Sequence, residues 1–173
     1  MSRGFLGLGG NLGDRRATLQ AALDALPDAG VRPLRCSATY ATAPVGGPPG
    51  QPHFLNACAE VETELAPEAL LDALKAIELA AGRDLGAGYV HHGPRPVDLD
   101  VLLLDGAAFA SERLQIPHPR LLERRFVLIG LLELDFGLAL PDGTRLADAL
   151  AVLPLEEDVR REGPPLRVGP AAG

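Results

Sequence analysis

Cysteine is scarce in this chain, with only Cys36 and Cys58 among 173 residues. Two cysteines are too few for a disulfide framework, so burial of apolar surface has to hold the fold. Both are expected to be reduced packing thiols, close together if their strands pair. Long apolar runs are also missing. The longest, FVLIGLL at 126–132, falls well short of the ~18 residues that a membrane span requires, and no membrane association is expected. The opening residues, MSRGFLGLGGNLGDRR, lack a basic start followed by an apolar core and a small-residue cleavage site. A cytoplasmic location is therefore expected. Positive charge is in deficit: 16 Lys and Arg against 23 Asp and Glu, a net charge of −7. That balance argues against nucleic acid or an anionic membrane as partner.

Several ready-made ligand motifs are absent too. There is no GxxxxGK[ST] loop. GLGGNLG at 7–13 approaches the dinucleotide fingerprint, but Leu12 stands at the third glycine position, so a tight strand-to-helix turn is the better reading. No Cys/His set has zinc spacing. DLDVLLLDG, from position 98, places apolar residues where an EF-hand loop needs its later ligands.

What is present describes one ordinary domain, 47% hydrophobic and 23% charged, long enough to bury a core. It is expected to occupy 1–153 as a single catalytic domain, leaving 154–173 as a loosely ordered tail. RGFLGLGG reads as a first strand. DRRATLQAALDAL follows with Leu19, Leu23 and Leu26 on one helical face. VRPLRCSATYAT reads as one second strand and APVGGPPGQP as a loop. HFLNACAEVET alternates, with Leu55, Ala57, Ala59 and Val61 on one face and Phe54, Asn56, Cys58 and Glu60 on a more open one. APEALLDALKAIELAAG is a second helix, with Pro67 at its start, Gly82 at its stop, and Leu70, Leu74, Ile77 and Ala81 inward. A glycine-rich loop and a third long strand come next. A helix from about Arg124 and a short final helix complete the chain. The order β-α-β-β-α-β is the ferredoxin-like α+β pattern, an antiparallel sheet with helices on one face.

The third strand poses the chemical question. It begins with two aspartates, Asp98 and Asp100, ahead of VLLL. A strand has a period of two, so both carboxylates share a face, about 6.6 Å apart along the backbone. Leu102 and Leu104 would continue that face, with Val97, Leu99, Val101 and Leu103 on the other. Two ionised carboxylates about 5 Å apart repel by roughly 3 kcal/mol at an effective dielectric near 20. They need water, arginine or a divalent cation between them, and Mg²⁺ is commonly held by such a pair when substrate phosphates supply the remaining ligands. The alternative is a solvated strand end capped by Arg95. The flanks bear on the choice. The window 83–125 holds six basic and six acidic residues, so the whole net charge lies outside it, as 10 basic against 17 acidic. All six of its bases are arginines, which suit bidentate contact with phosphate. Arg95 precedes the pair, and Arg113, His118 and Arg124 follow it.

These residues carry a family resemblance. GPRPVDLDVLL closely resembles the signature of the 6-hydroxymethyl-7,8-dihydropterin pyrophosphokinases of folate biosynthesis. GLGGNLGD, YATAPVG, QPHFLNA, IELAAGR and IPHPRLLERRFVL resemble further blocks of that family, in order, over 4–143. The resemblance implies a ferredoxin-like fold and transfer of pyrophosphate from ATP to the pterin hydroxymethyl group, with release of AMP. It implies that Asp98 and Asp100 hold two Mg²⁺ ions with ATP, and that Arg83 and Arg95 join them as catalytic residues. Lys75, Glu78, Arg95, Leu102, Arg113, Gln115, His118 and Arg124 would contact ATP. Thr42, Ala43, Pro44, Val45, Phe54, Asn56, His92 and Phe126 would form the pterin pocket. Phe54 and Phe126 suit a flat bicycle, and Asn56 offers donor and acceptor. The sequence departs from the family at His92, where some members carry tryptophan, at Leu85, where some carry arginine, and at Lys75, where some carry glutamine. A monomer is expected. Another two-metal phosphoryl or nucleotidyl transferase, or a non-catalytic binding module, are the rival readings.

Overall fold

The computed structural model describes residues 1–44, 49–50, 52–82, 97–154 and 159–169. Its main sheet is antiparallel and is built around β1 (Ser2–Gly10) and β4 (Phe54–Thr63). β5 (Asp98–Leu104) pairs with the free edge of β1. The far edge of β4 is shared by β2 (Val31–Cys36) and β3 (Tyr40–Thr42). What reads as one strand in the sequence is thus two, separated by Ser37–Ala38–Thr39. The Ser37 hydroxyl takes up the Cys58 amide there, and the Ser37 amide bonds the Cys58 carbonyl. A small ladder of β6 (Phe109–Ala110) and β7 (Gln115–Ile116) lies apart from the main sheet.

α1 (Arg15–Ala25) starts where the Asp14 carboxylate accepts the Ala17 amide, a side-chain N-cap. Its Leu19 and Leu23, with Leu70, Leu74 and Ile77 of α2 (Pro67–Ala81), cover one sheet face. Leu6, Leu8, Leu55, Ala57, Ala59, Val61, Leu99 and Val101 meet them there. Ala81, expected inward, is exposed; Leu71 is buried in its stead.

The α+β class and the antiparallel sheet agree with the sequence reading, but helices cover both faces. α3 (Arg125–Leu134) and α4 (Leu146–Val152) form a second core with Phe5, Cys58, Leu102 and Leu103 on the opposite side. A register shift explains part of this. β1 and β5 slip between Phe5 and Leu6, so Phe5 faces Leu103 while Leu6 faces Val101. Leu102 is the extra residue, a β-bulge. Beyond it the alternation reverses. Leu103 joins the α3 side and Leu104 the α1–α2 side, the opposite of the expected assignment.

The tail expectation also needs correction. β8 (Val159–Arg161) pairs with β3, and Leu166 is 3% exposed within the α1–α2 core. Arg16 donates to the carbonyls of Pro164 and Pro165, and Gln20 bonds both backbone groups of Arg167. The two cysteines lie on paired strands but on opposite faces, Cys36 with the first core and Cys58 with the second. Both are free. Burial pushes the Cys36 thiol up to about 11 and the Cys58 thiol higher still. Among the described residues, no helix is long and apolar enough to cross a membrane.

Candidate active site

The glycines of β1 give the site its floor. Leu6 and Leu8 point into the first core, so Gly7 and Gly9 fall on the other face, where any side chain would fill the space above the sheet. Gly9 pairs with Asp98 on one side and Asn56 on the other, and Asn56 pairs with Tyr40. One row therefore runs Asp98, Gly9, Asn56, Tyr40 across four strands. At the usual strand spacing, Asp98 and Asn56 stand about 10 Å apart with only a glycine between them. A Cβ at Gly9 would come within 2.9 Å of Asn56 Oδ1. Gly7 occupies the same position beside Asp100 in the next row.

Above this floor is a cavity of about 920 Å³. Asp98, Asp100, Leu102, His118 and Arg124 line one part of it. Thr42, Ala43, Pro44, Phe54, Asn56 and Phe126 line another. Eleven residues singled out in the sequence thus meet around one space. The strand starting at Asp98 brings the carboxylates, and the segment after β7 brings His118 back to it. The His118 amide donates to the Leu102 carbonyl at 3.0 Å.

The polar groups are oriented. His118 Nδ1 accepts the Arg120 amide at 3.1 Å, which places the proton of the neutral ring on Nε2. Burial draws its pKa below the ordinary value; Asp100 opposes this, while Arg124 and Arg120 reinforce it. Arg124 Nη1 lies 3.7 Å from Asp100 Oδ2, so one cation already faces the carboxylate pair. Asn56 Nδ2 donates to the Tyr40 carbonyl at 3.1 Å and to Thr42 Oγ1 at 2.9 Å. A carbonyl can only accept, so the amide is fixed and Oδ1 is its remaining polar atom. Glu78 reaches the aspartate strand from α2, where Oε1 accepts the Leu99 amide at 2.7 Å. Its pKa is raised, by burial above all, with Asp98 and Asp100 adding to the effect against the Leu99 amide and Lys75.

Other sequence candidates do not line the cavity. Glu78 supports the strand, as just described. Lys75 is exposed on α2, Gln115 is exposed on β7, and the Arg113 guanidinium pairs with Asp72 of α2. Arg83, Arg95, His92 and Val45 lie outside the described residues, as does most of the 82–93 loop. Sequence reasoning missed Tyr40, Arg120 and Glu123, all of which line the cavity. Tyr40 could have been found by its period, since it stands two residues before Thr42 on the same strand face. Gly7 and Gly9 lie in the segment that the sequence marks as the first strand and its glycine-rich end, and their alternation with Leu6 and Leu8 is the signal of a bare strand face.

Comparison with known proteins adds the decisive observation. The family model described as 7,8-dihydro-6-hydroxymethylpterin-pyrophosphokinase (HPPK) matches residues 5–136. The chain belongs to this family. It is 42% identical over 166 residues to the 2-amino-4-hydroxy-6-hydroxymethyldihydropteridine pyrophosphokinase of Pseudomonas aeruginosa, covering 94% of this chain and 99% of that protein. It is equally 42% identical over 154 residues to the enzyme of the same name from Methylorubrum extorquens, covering 88% and 94%. Among solved structures, Plasmodium falciparum HPPK-DHPS with SDX-DHP superposes with a TM-score of 0.63 at 14% identity, over 87% of this chain and 43% of that one. At that identity the likeness is one of fold. The family match spans β1 through α3, so it includes both halves of the cavity wall.

Proposed function

We propose that this chain transfers the β,γ-pyrophosphoryl group of ATP to the hydroxymethyl oxygen of 6-hydroxymethyl-7,8-dihydropterin, releasing AMP. The observation that carries the reading is the row Asp98–Gly9–Asn56, which joins a carboxylate pair to an aromatic amide pocket in one cavity. Phe54 and Phe126 take the flat pterin between apolar surfaces. Asn56 Oδ1 accepts from the pterin's N–H edge, its amide nitrogen being held by Tyr40 and Thr42. The hydroxymethyl group then points along Gly9 toward Asp98.

At the other end, Arg124 and His118 Nε2 offer donors to phosphate oxygens, where charge grows as the α,β bridge breaks. Arg83 and Arg95 complete this set in our reading. Asp98 and Asp100 are suited to a hard divalent cation: they supply oxygen ligands from one strand face beside side-chain-free glycines. Asp98 and Asp100 would hold Mg²⁺ there, and the ion would supply positive charge to the phosphates and acidity to the attacking hydroxyl.

The test is ³¹P product analysis with ATP, Mg²⁺ and the hydroxymethyl-dihydropterin. AMP and a pterin diphosphate, formed only when both substrates are present, are the expected products. Release of ADP, or AMP formed without pterin, would overturn the reading in favour of another phosphoryl or nucleotidyl transfer.

A further inference from the structure

α3 contributes Phe126 to the cavity from its first turn, and two further residues on the same helical face meet the sheet. Phe126, Gly130 and Glu133 follow at i, i+4 and i+7. At Gly130 the helix rests directly on β4, since a Cβ there would lie 2.7 Å from Cys58 Sγ. At Glu133 it is clamped. Oε1 accepts the Tyr40 hydroxyl at 2.5 Å, and Oε2 accepts the Ala38 amide at 2.7 Å. Tyr40 in turn lines the cavity, and its carbonyl holds the Asn56 amide. Phe126 and Asn56, which stand on different elements, are thus tied through Glu133 and Tyr40. The bond to a charged acceptor is of the stronger kind, and the tyrosine's pKa of about 12, raised by burial first and then by Glu133, agrees with a hydroxyl that keeps its proton.

We propose that Glu133 and Tyr40 are positioning residues that fix where Phe126 stands relative to Asn56 in the pterin pocket. The proposal rests on the reading of this cavity as the pterin site. Neither residue reaches the carboxylate end, so the pair acts on pterin recognition and leaves nucleotide binding alone. Tyr40→Phe keeps the ring and removes only the hydroxyl. Glu133→Ala removes the clamp, and Glu133→Gln retains one acceptor oxygen.

The experiment measures KM for each substrate, kcat, and equilibrium pterin affinity by dihydropterin fluorescence with Mg²⁺ and a non-hydrolysable ATP analogue. Tyr40→Phe and Glu133→Ala are each expected to raise the pterin KM and Kd roughly tenfold, the scale of one charge-assisted hydrogen bond. The ATP KM and kcat at saturation should stay within about twofold, the double variant should be no worse than either single one, and Glu133→Gln should recover part of the loss. If Glu133→Ala fails to fold, Tyr40→Phe decides the matter alone. Unchanged pterin affinity in Tyr40→Phe, or an equal loss for ATP and pterin, would overturn the proposal. Failure of the unaltered protein to bind the pterin at all would instead refute the underlying reading of the cavity.

Discussion

Glu60 shows how much a single residue's surroundings decide. Its side chain, 7% exposed, lies on the second face of the sheet and receives Arg3 Nη2 at 2.9 Å and Arg35 Nη2 at 2.7 Å. Burial alone would raise its pKa, but the hydrogen bonds from Arg3 and Arg35 outweigh it and hold the group below its ordinary 4.5. A depressed folded-state value means the native protein binds fewer protons than the unfolded one. The stabilisation is therefore complete above about 4.5 and is lost as pH falls through the folded value. Glu60→Gln should lower stability at pH 7 by about 1–2 kcal/mol, and the gap from the unaltered protein should close on acidification. Urea melts at pH 7 and pH 3.5 check this. Asp100 offers the contrast, because it is partly open and faces a cavity. Asp100→Asn should cut kcat about 100-fold or more, because it takes a charged oxygen ligand from the proposed cation site that offsets phosphate charge. Its melting temperature should shift by no more than about 2 °C, because its 3.7 Å pair with Arg124 is a partly exposed one.

At the level of elements, α3 shows why glycine belongs inside a helix. Ala at position 130 would favour the helix by about 1 kcal/mol in isolation. Here its Cβ would collide with Cys58 Sγ and crowd Cys58 Cβ at 3.2 Å. Gly130→Ala should therefore destabilise by about 1–3 kcal/mol, and adding Cys58→Ala should restore part of it. Calorimetric melting of the single and double variants measures both effects. The sequence made α1, α2 and the three long strands legible, because α1, α2 and β4 carry a clean period and Pro67 and Gly82 punctuate α2. It made the carboxylate end and one wall of the cavity legible, because Asp98 and Asp100, and Phe54 and Asn56, fall on strands that a simple alternation orients; Phe126, on α3, is placed in the sequence only by the family resemblance. Features that depend on tertiary partners were not legible. The bulge at Leu102 appears only when β5 meets β1, and it exchanges Leu103 with Leu104. The break between β2 and β3 needs Ser37 to find Cys58. The second helical layer was not legible because the β-α-β-β-α-β order accounts for α1 and α2 alone and does not say which face the helices after β5 cover.

For the molecule as a whole, the segment from 159 to 169 is an integral part. It carries three apolar residues and two prolines, so its sequence resembles a solvated tail, yet Leu166 is buried with Cys36 and Leu19 in the first core. Leu166→Ala should cost about 2–4 kcal/mol through the lost transfer energy and the cavity left behind. A chemical denaturation midpoint lowered accordingly, with an unchanged slope, is the expected result. No change would mean that the segment merely rests on the domain.

β3 holds Thr42 and Tyr40 at the wall of the cavity, and its outer edge is closed by β8, the last strand of the described chain. During synthesis the chain emerges from its amino end. The cavity wall is therefore translated early but stays an uncapped strand edge until residues 159–161 leave the ribosome. An unpaired edge is a template for intermolecular pairing, and pairing across so long a stretch of chain is intrinsically slow. The nascent protein thus passes through an interval in which one wall of the cavity is also an open strand edge.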